Sequence, residues 1–120
     1  MEVWQKAVEF AKAVIETAEG IKTNQKHFRL IEQVEAAACS VAQNIAEGKG
    51  RYSKKEFIQF LYIARGSLYE TVTLLTIFQR MEWIDESTLE ELKGQADHIG
   101  KMISGLISSL KKQQYRNMAM

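Results

Sequence analysis

Apolar side chains recur along most of this chain at alternating steps of three and four residues, a spacing that places them on one face of an α-helix. The first such stripe predicts a helix over residues 2–19, which Gly20 ends as a C-cap. A polar connection follows, and a second stripe predicts a helix over residues 27–47 that Gly48 closes. The first stripe consists of Trp4, Val8, Ala11, Ile15 and Ala18, and the second of Ile31, Val34, Ala38, Val41 and Ile45.

Two capping boxes of the form S-x-x-E mark the starts of two further helices. Ser53 with Glu56 begins the third helix, and Ser87 with Glu90 begins the fourth near residues 85–87. In such a box each side chain satisfies the backbone N–H of the other residue. The third seam is Phe57, Leu61, Ala64, Leu68, Thr71, Leu75 and Phe78, and the fourth is Leu89, Leu92, Ala96, Ile99, Ile103, Leu106 and Leu110.

The connections between the four predicted helices are short, and short connections favour neighbours that run in opposite directions. The 120 residues fit a single domain, 1–120, and an apolar content of 46% can supply its core. The absence of proline agrees with long, uninterrupted helices. We therefore predict an all-α fold, an antiparallel up-down-up-down four-helix bundle.

The third helix carries more apolar surface than one seam needs. Phe60, Ile63, Leu74, Ile77 and Met81 form a second stripe, and Ile58, Tyr62, Tyr69 and Val72 begin a third. Because no helix is central in a four-helix bundle, this surplus predicts self-association. The alternative is that the tyrosines are amphipathic residues at the rim of the core.

Positive charge is concentrated in three segments, although the net charge is only +1. One consists of Lys22, Lys26 and Arg29, and the others are residues 49–55 and 111–116. In an antiparallel bundle the turn at residues 48–52 lies at the same end as the C-terminus. The cations of these last two segments, here called the basic pole, are Lys49, Arg51, Lys54, Lys55, Lys111, Lys112 and Arg116. Such a pole predicts a phosphate-bearing partner, and Tyr52 and Tyr115 would stack on bases. The alternative is a solvated helix end, where lysines are commonplace.

Residue patterns for catalysis or metal binding are sparse. His27 and His98 are preceded at three residues by Asn24 and Gln95, so the Glu-x-x-His pairs of di-iron bundles are absent. Cys39 lies in a run of small apolar residues, which predicts a packing role and not a nucleophile. We expect no metal, no cofactor and no enzymatic activity.

Five polar side chains fall near the centre of the chain: Asn44, Glu47, Arg65, Ser67 and Glu70. Because a buried charge needs a partner of opposite sign, we predict a structural polar network between helices two and three or between subunits. The alternative is that they line a groove or pore that contacts a ligand. Gly66 lies among them in mid-helix, where glycine costs about 1 kcal/mol relative to alanine, and it predicts a close backbone approach.

The N-terminal segment, MEVWQKAVEFAK, lacks the apolar core of a signal peptide. No apolar run approaches the ~20 residues that cross a bilayer. Cys39 is the only cysteine, so the chain forms no internal disulfide. These features predict a soluble cytoplasmic protein without a membrane partner.

The stretch NIAEGKGRYSKKEFIQFLYIARGSLYE, residues 44–70, resembles the signature of a four-helix-bundle family. That family is named for proteins encoded by 23S rRNA intervening sequences, and its members are also labelled ribosomal-protein-like. The opening VWQKAVEFAKAV is similar to the family's first helix. The family commonly has a proline-serine pair where this chain has Ala42 and Gln43, so we expect a straighter second helix here.

The resemblance implies a homo-oligomer that forms a pentameric ring, and it implies no enzymatic activity. A similar fold occurs in the accessory protein of diversity-generating retroelements, which works with a reverse transcriptase and binds nucleic acid. That relative is markedly basic, whereas this chain is near neutral.

The leading hypothesis is a non-enzymatic oligomeric bundle that binds structured RNA or DNA through the basic pole, with a protein partner also possible. The rival hypothesis is a protein-interaction scaffold without nucleic-acid binding, which the near-neutral charge favours. An unrecognised enzyme is a third alternative, and it depends only on Glu47, Arg65 and Glu70.

Overall fold

A computed structural model describes residues 1–24 and 26–119, with side chains described through residue 117. It contains four α-helices, and no strand occurs among these residues. The helices are α1 (Glu2–Glu19), α2 (Phe28–Lys49), α3 (Lys54–Arg80) and α4 (Glu86–Ala119). The prediction of an all-α fold is therefore confirmed, and each helix begins within about two residues of its predicted start. α1 ends at the predicted residue, and α2 ends two residues later than predicted, at Lys49.

Each helix packs against two others and forms one corner of an elongated bundle that measures 61 × 22 × 19 Å. α1 contacts α2 and α4, and α3 also contacts α2 and α4. The core runs along the centre of the bundle. Its largest fully buried side chains are Phe10, Phe78, Ile45, Leu61, Leu68, Leu75, Ile99 and Ile103. None of the described helices combines the length and the hydropathy of a membrane-spanning segment.

The predicted seam of α1 is partly wrong: Ala11 and Ala18 are buried as predicted, but the rest of the buried face is shifted by one position along the helix. Trp4 and Val8 are 41% and 38% exposed, whereas Val3 and Phe10 are buried. A shift of one residue turns the buried face by about 100° around the helix axis. Both stripes are apolar, and the bundle buries the one that brings the bulky Phe10 ring into the centre. The seams of α2 and α3 are largely as predicted, and α4 buries Ile107 where the half-buried Leu106 was expected.

Ser53 caps α3, because its hydroxyl oxygen accepts a hydrogen bond of 3.1 Å from the backbone N–H of Glu56. The Glu56 carboxylate in turn accepts from the Ser53 hydroxyl, at 3.2 Å, and not from the Ser53 backbone N–H. The predicted capping box at this helix is therefore half formed.

α4 is capped by Asp85 and not by the predicted Ser87. The backbone N–H of Thr88 donates to the Asp85 carboxylate over 2.7 Å. Hydrogen bonds from the Thr88 side chain and then from its backbone lower the pKa of Asp85 below the ordinary value of 3.8. An aspartate at the N-terminus also carries the charge that the helix dipole favours, which explains its preference over serine.

The α1–α2 connection and the α3–α4 turn meet at one end of the bundle. The rings of His27 and Trp83 lie 5.0 Å apart, and Trp83 also lies 5.2 Å from the Phe78 ring. His27 and Glu82 both have left-handed backbone conformations, with φ of 64° and 63°. The basic α2–α3 turn is therefore separated from this end by the full length of α3.

Candidate functional site

The turn between α2 and α3 places the cations of residues 49–55. α2 ends at Lys49, and the backbone N–H of Gly50 caps it by donating to the Ala46 carbonyl over 3.2 Å. Gly48 is buried in the last turn of α2, where a Cβ would lie 2.8 Å from the Phe57 ring. The missing side chain thus allows the end of α2 to approach the start of α3 closely.

Arg51 is anchored on this turn by one carboxylate and one ring. Its guanidinium lies 3.4 Å from the Glu47 carboxylate, and its Cζ lies 4.8 Å from the centroid of the Phe60 ring. The ion pair is exposed and one helical turn apart, so it stabilises the helix end only slightly. Arg51 is therefore positioned with most of its donors facing solvent.

The remaining cations of the turn are accessible. Lys49 and Lys55 are exposed, and Lys54 is half-buried at the first residue of α3. Tyr52 lies between these cations and is fully exposed, with 107% of the reference accessible surface. A tyrosine ring without packing partners, flanked by cations, can stack on a nucleic-acid base while the cations contact phosphates.

The three cations of α4 lie toward the end of the bundle that holds the α2–α3 turn, because α4 packs against α3. Lys111 donates a hydrogen bond of 2.6 Å to the phenol oxygen of Tyr62, eight residues into α3 from Lys54. Lys112 and Arg116 are exposed. Ser104 of α4 contacts Arg65, and Lys111 contacts Tyr62, so later residues of α4 meet earlier residues of α3. Arg116 lies about 7.5 Å farther along α4 than Lys111 and is thus nearer to the α2–α3 turn.

Arg65 and Tyr62 belong to this positive surface, although the sequence did not place them there. The Cζ atom of Arg65 lies 5.0 Å from the centroid of the Tyr62 ring, and Lys111 Nζ lies 5.2 Å from it. The spacing of Tyr62 and Arg65 at i and i+3 on α3 indicates that they are neighbours. The contact with Lys111 depends on how α4 packs, which no local pattern reveals.

The five residues of the predicted polar network do not form one network: two of them share Ser40 as a partner, and the other three have partners elsewhere in the chain. Asn44 donates to Ser40 Oγ at 2.9 Å, and Ser40 Oγ lies 2.8 Å from Ser67 Oγ, which joins α2 to α3. Arg65 donates instead to Ser104 on α4, at 3.1 Å.

The two carboxylates of that predicted network are both exposed. Glu47 pairs with Arg51 at the end of α2, and Glu70 accepts a long hydrogen bond of 3.4 Å from Gln33. The serine pair, with Asn44, is thus a partly buried polar link between α2 and α3, whereas the Gln33–Glu70 hydrogen bond is an exposed one. Ser40 was missed by the sequence analysis, because a serine in an apolar run carries no distinctive signal.

Gly66 does not allow the close approach that its sequence position predicted. A Cβ built on this residue would meet no atom within 4 Å, and the residue is exposed. Several apolar side chains of α3 remain accessible, namely Ile63 (51%), Tyr69 (62%) and Ile77 (45%), as does Met81 (53%) directly after the helix. The surplus apolar surface of this helix is therefore partly solvent-facing in the single chain.

No three histidine, cysteine, aspartate or glutamate side chains converge as metal ligands among residues 1–24 and 26–119. Cys39 is half-buried and packs against the core. Candidate ligand-contacting residues are the cations and tyrosines of the α2–α3 turn and of the adjoining α3–α4 surface.

Comparison with known proteins places this arrangement among related chains. The family model described as 23S rRNA-intervening sequence protein matches residues 1–105, which include the α2–α3 turn. No curated protein sequence matches the chain. A crystal structure at 1.70 Å resolution is similar to it, that of a protein with unknown function from the S23 ribosomal protein family of Bacteroides thetaiotaomicron. The TM-score is 0.81 and the sequences are 28% identical, covering 88% of this chain and 97% of that chain.

Proposed function

The chain belongs to the family of 23S rRNA-intervening sequence proteins, and we propose that it is a non-enzymatic, homo-oligomeric helical bundle that binds structured RNA or DNA through the basic pole. The proposal depends on one observation, the side chains that the α2–α3 turn exposes. It presents the exposed cations Lys49, Arg51 and Lys55 around the fully exposed ring of Tyr52. An exposed aromatic ring among cations is the combination that contacts bases and phosphates together.

The proposal includes helices that alternate in direction. Two contacts between α3 and α4 support it, because residue numbers rise along α4 as they fall along α3. The pairing of His27 with Trp83 supports it as well, since it joins the two connections at the end remote from the basic turn.

The proposal also includes assembly into a ring, which we propose to be pentameric. The exposed side chains of Ile63 and Ile77 on α3 support self-association, because each leaves about half of its apolar surface in water. A ring would repeat the basic pole once per subunit, and the repeats would raise a weak affinity through avidity.

Binding of the purified oligomer to a structured RNA and to duplex DNA, titrated with salt, tests the proposal. Fluorescence anisotropy with a labelled hairpin RNA and a labelled duplex gives the affinity at each salt concentration. A steep decrease in affinity as salt rises is expected, because several cations per ring would neutralise phosphates and release counterions. An absence of binding at low salt would contradict the proposal.

The matched variants reverse charge at the two ends of the bundle. Replacement of Lys49, Arg51, Lys54 and Lys55 by glutamate should abolish binding and leave the helical circular dichroism unchanged. Replacement of the distant Lys22, Lys26 and Arg29 by glutamate is the control, and it should weaken binding much less. Equal losses in both variants would show that net charge, and not the basic pole, determines binding.

A protein-interaction scaffold is the second candidate function. The exposed apolar side chains of α3 and a net charge of only +1 favour it. Recovery of one partner protein by the intact oligomer after nuclease treatment, combined with no salt-sensitive nucleic-acid binding, would support the scaffold.

A further inference from the structure

Two cations lie against one tyrosine ring on the surface where α3 meets α4. Arg65 Cζ is 5.0 Å from the centroid of the Tyr62 ring, and Lys111 Nζ is 5.2 Å from the same centroid. Within the part of the chain that the structure describes, neither cation forms an ion pair with a carboxylate. Two positive charges therefore converge on one ring, and no side chain of opposite sign neutralises them.

After the hydrogen bonds within this cluster are formed, most of the polar groups that remain free to bind a ligand are donors. The Lys111 ammonium can only donate, so the Tyr62 oxygen accepts its 2.6 Å hydrogen bond and the phenol hydrogen remains available. Arg65 likewise donates to the hydroxyl oxygen of Ser104, at 3.1 Å. A guanidinium has five N–H donors and an ammonium has three, so most of them remain unused in these two bonds.

We propose that Tyr62, Arg65, Ser104 and Lys111 bind a phosphate group. A phosphate offers several acceptor oxygens, which suits a cluster whose guanidinium, ammonium and phenol groups all have hydrogen-bond donors. The phosphate is a backbone phosphate of the nucleic acid, and in this respect the inference rests on the proposed function.

The position of the cluster relative to the α2–α3 turn supports this assignment. Tyr62 follows Lys54 by eight residues, which is about 12 Å along α3. That distance corresponds to three or four steps of a nucleic-acid strand that rises about 3.4 Å per nucleotide. A strand bound at the turn would therefore present a later phosphate to Arg65 and Lys111.

Two matched double variants test the cluster. Arg65→Gln with Lys111→Gln removes both cations, and Arg80→Gln with Lys22→Gln removes the same charge from exposed positions outside the cluster. Tyr62→Phe is a third variant that keeps the ring and removes the hydroxyl group, which is also the acceptor of the Lys111 hydrogen bond. Circular dichroism of each full-length oligomer establishes that the fold is retained.

The first measurement uses inorganic phosphate as the probe and the Arg65 side-chain resonances of ¹⁵N-labelled protein as the readout. Phosphate should shift these resonances saturably, while chloride at equal ionic strength should not. Tyr62→Phe should weaken the phosphate-dependent shift several-fold. A shift of the same size with chloride would overturn the phosphate site.

The second measurement is the salt dependence of hairpin RNA and duplex DNA binding. Loss of the contacts to this one phosphate should reduce the slope of log affinity against log salt by about 1 in the cluster variant. The control variant should retain the wild-type slope. An unchanged slope in the cluster variant would overturn the inference, even though binding through the α2–α3 turn persisted.

The two measurements separate this inference from the proposed function. If the wild-type protein binds no nucleic acid but phosphate still shifts Arg65, the proposed function fails and the phosphate site stands for a free phosphate ligand. If nucleic acid binds, phosphate and chloride shift the Arg65 resonances of the wild-type protein equally, and the cluster variant keeps the wild-type salt slope, then the cluster has no ligand role and the proposed function stands.

Discussion

Gly48 of α2 lies directly against Phe57 of α3: a Cβ at Gly48 would approach the Phe57 Cδ1 atom to 2.8 Å. The same Cβ would lie 2.8 Å from the Cβ of Phe60, an atom that moves only with its backbone. Real Cβ atoms do not tolerate such distances, so any larger residue would separate the two helices. The geometry of the basic turn therefore depends on one glycine in the last turn of α2.

Gly48→Ala should destabilise the protein. Overpacking of this kind costs about 1–3 kcal/mol, and the better helix propensity of alanine offsets up to about 1 kcal/mol of it. Urea unfolding followed by circular dichroism measures the net effect, which we expect to be a loss of about 1–2 kcal/mol. Gly94→Ala is the matched control on α4, because a Cβ there would meet no atom within 4 Å. Gly94→Ala should leave stability equal or higher, and equal behaviour of the two variants would contradict the close approach at Gly48.

Asp85→Ala should lower the thermal unfolding midpoint, because it removes the acceptor for the backbone N–H of Thr88 at the start of α4. Ser87→Ala is the matched control, since Ser87 is exposed and has no capping role in the structure. Its midpoint should be close to that of the wild-type protein. A larger effect of Ser87→Ala than of Asp85→Ala would show that Ser87 caps α4, as the sequence predicted.

The charge of Asp85 should give this cap a defined pH dependence. Hydrogen bonds from Thr88 lower the pKa of Asp85 below 3.8 in the folded state. A lowered pKa contributes stability that is present above the ordinary value and is lost as the pH falls through the folded-state pKa. Asp85→Asn keeps an acceptor but carries no charge, so its midpoint should lie below that of the wild type at neutral pH. The difference should shrink below about pH 3.8, and a constant difference down to pH 2 would argue against the charge effect.

The Ser40–Ser67 contact should be measurable as a coupling between α2 and α3. The two hydroxyl oxygens lie 2.8 Å apart, and Asn44 donates to the same Ser40 oxygen. A double-mutant cycle with Ser40→Ala and Ser67→Ala should give a coupling free energy of about 0.5–1.5 kcal/mol. The same cycle with Ser40 and the distant Ser109 is the control and should give none. Additive effects of Ser40→Ala and Ser67→Ala would show that the contact does not hold the two helices together.

The helices could be predicted from the sequence because their signals are local. The Ser53 cap and the long apolar stripes identify α3 without knowledge of any partner. In α1, however, the stripe of Trp4 and Val8 and the stripe of Val3 and Phe10 are offset by one residue. Periodicity alone does not choose between two apolar faces, because the choice depends on the shape of the space between the other helices.

In the candidate site, likewise, the features formed by neighbours in the sequence could be predicted, and those formed by the packing of distant residues could not. The basic turn could be predicted because its glycines and lysines follow one another in the sequence. The cluster of Arg65, Tyr62 and Lys111 joins residues 49 positions apart, and only the packing of α3 against α4 brings them together. The roles of Gly48 and Gly66 were likewise not distinguishable, because a glycine that permits contact and one that faces solvent have the same local pattern.

The exposed apolar face of α3 should control self-association. Ile63 and Ile77 are 51% and 45% exposed, and a lysine at each position would place two charges on a surface that a second copy would have to desolvate. The wild-type protein should sediment as a homo-oligomer, and Ile63→Lys with Ile77→Lys should sediment as a monomer of unchanged helical content. Val8→Lys is the control, because Val8 is a partly exposed apolar residue of α1, outside this face. An oligomer of wild-type size in the α3 variant, or dissociation by Val8→Lys alone, would show that the interface lies on another face of the bundle.

Since avidity depends on assembly, the monomeric variant should also bind nucleic acid more weakly than the oligomer even though its basic pole is intact.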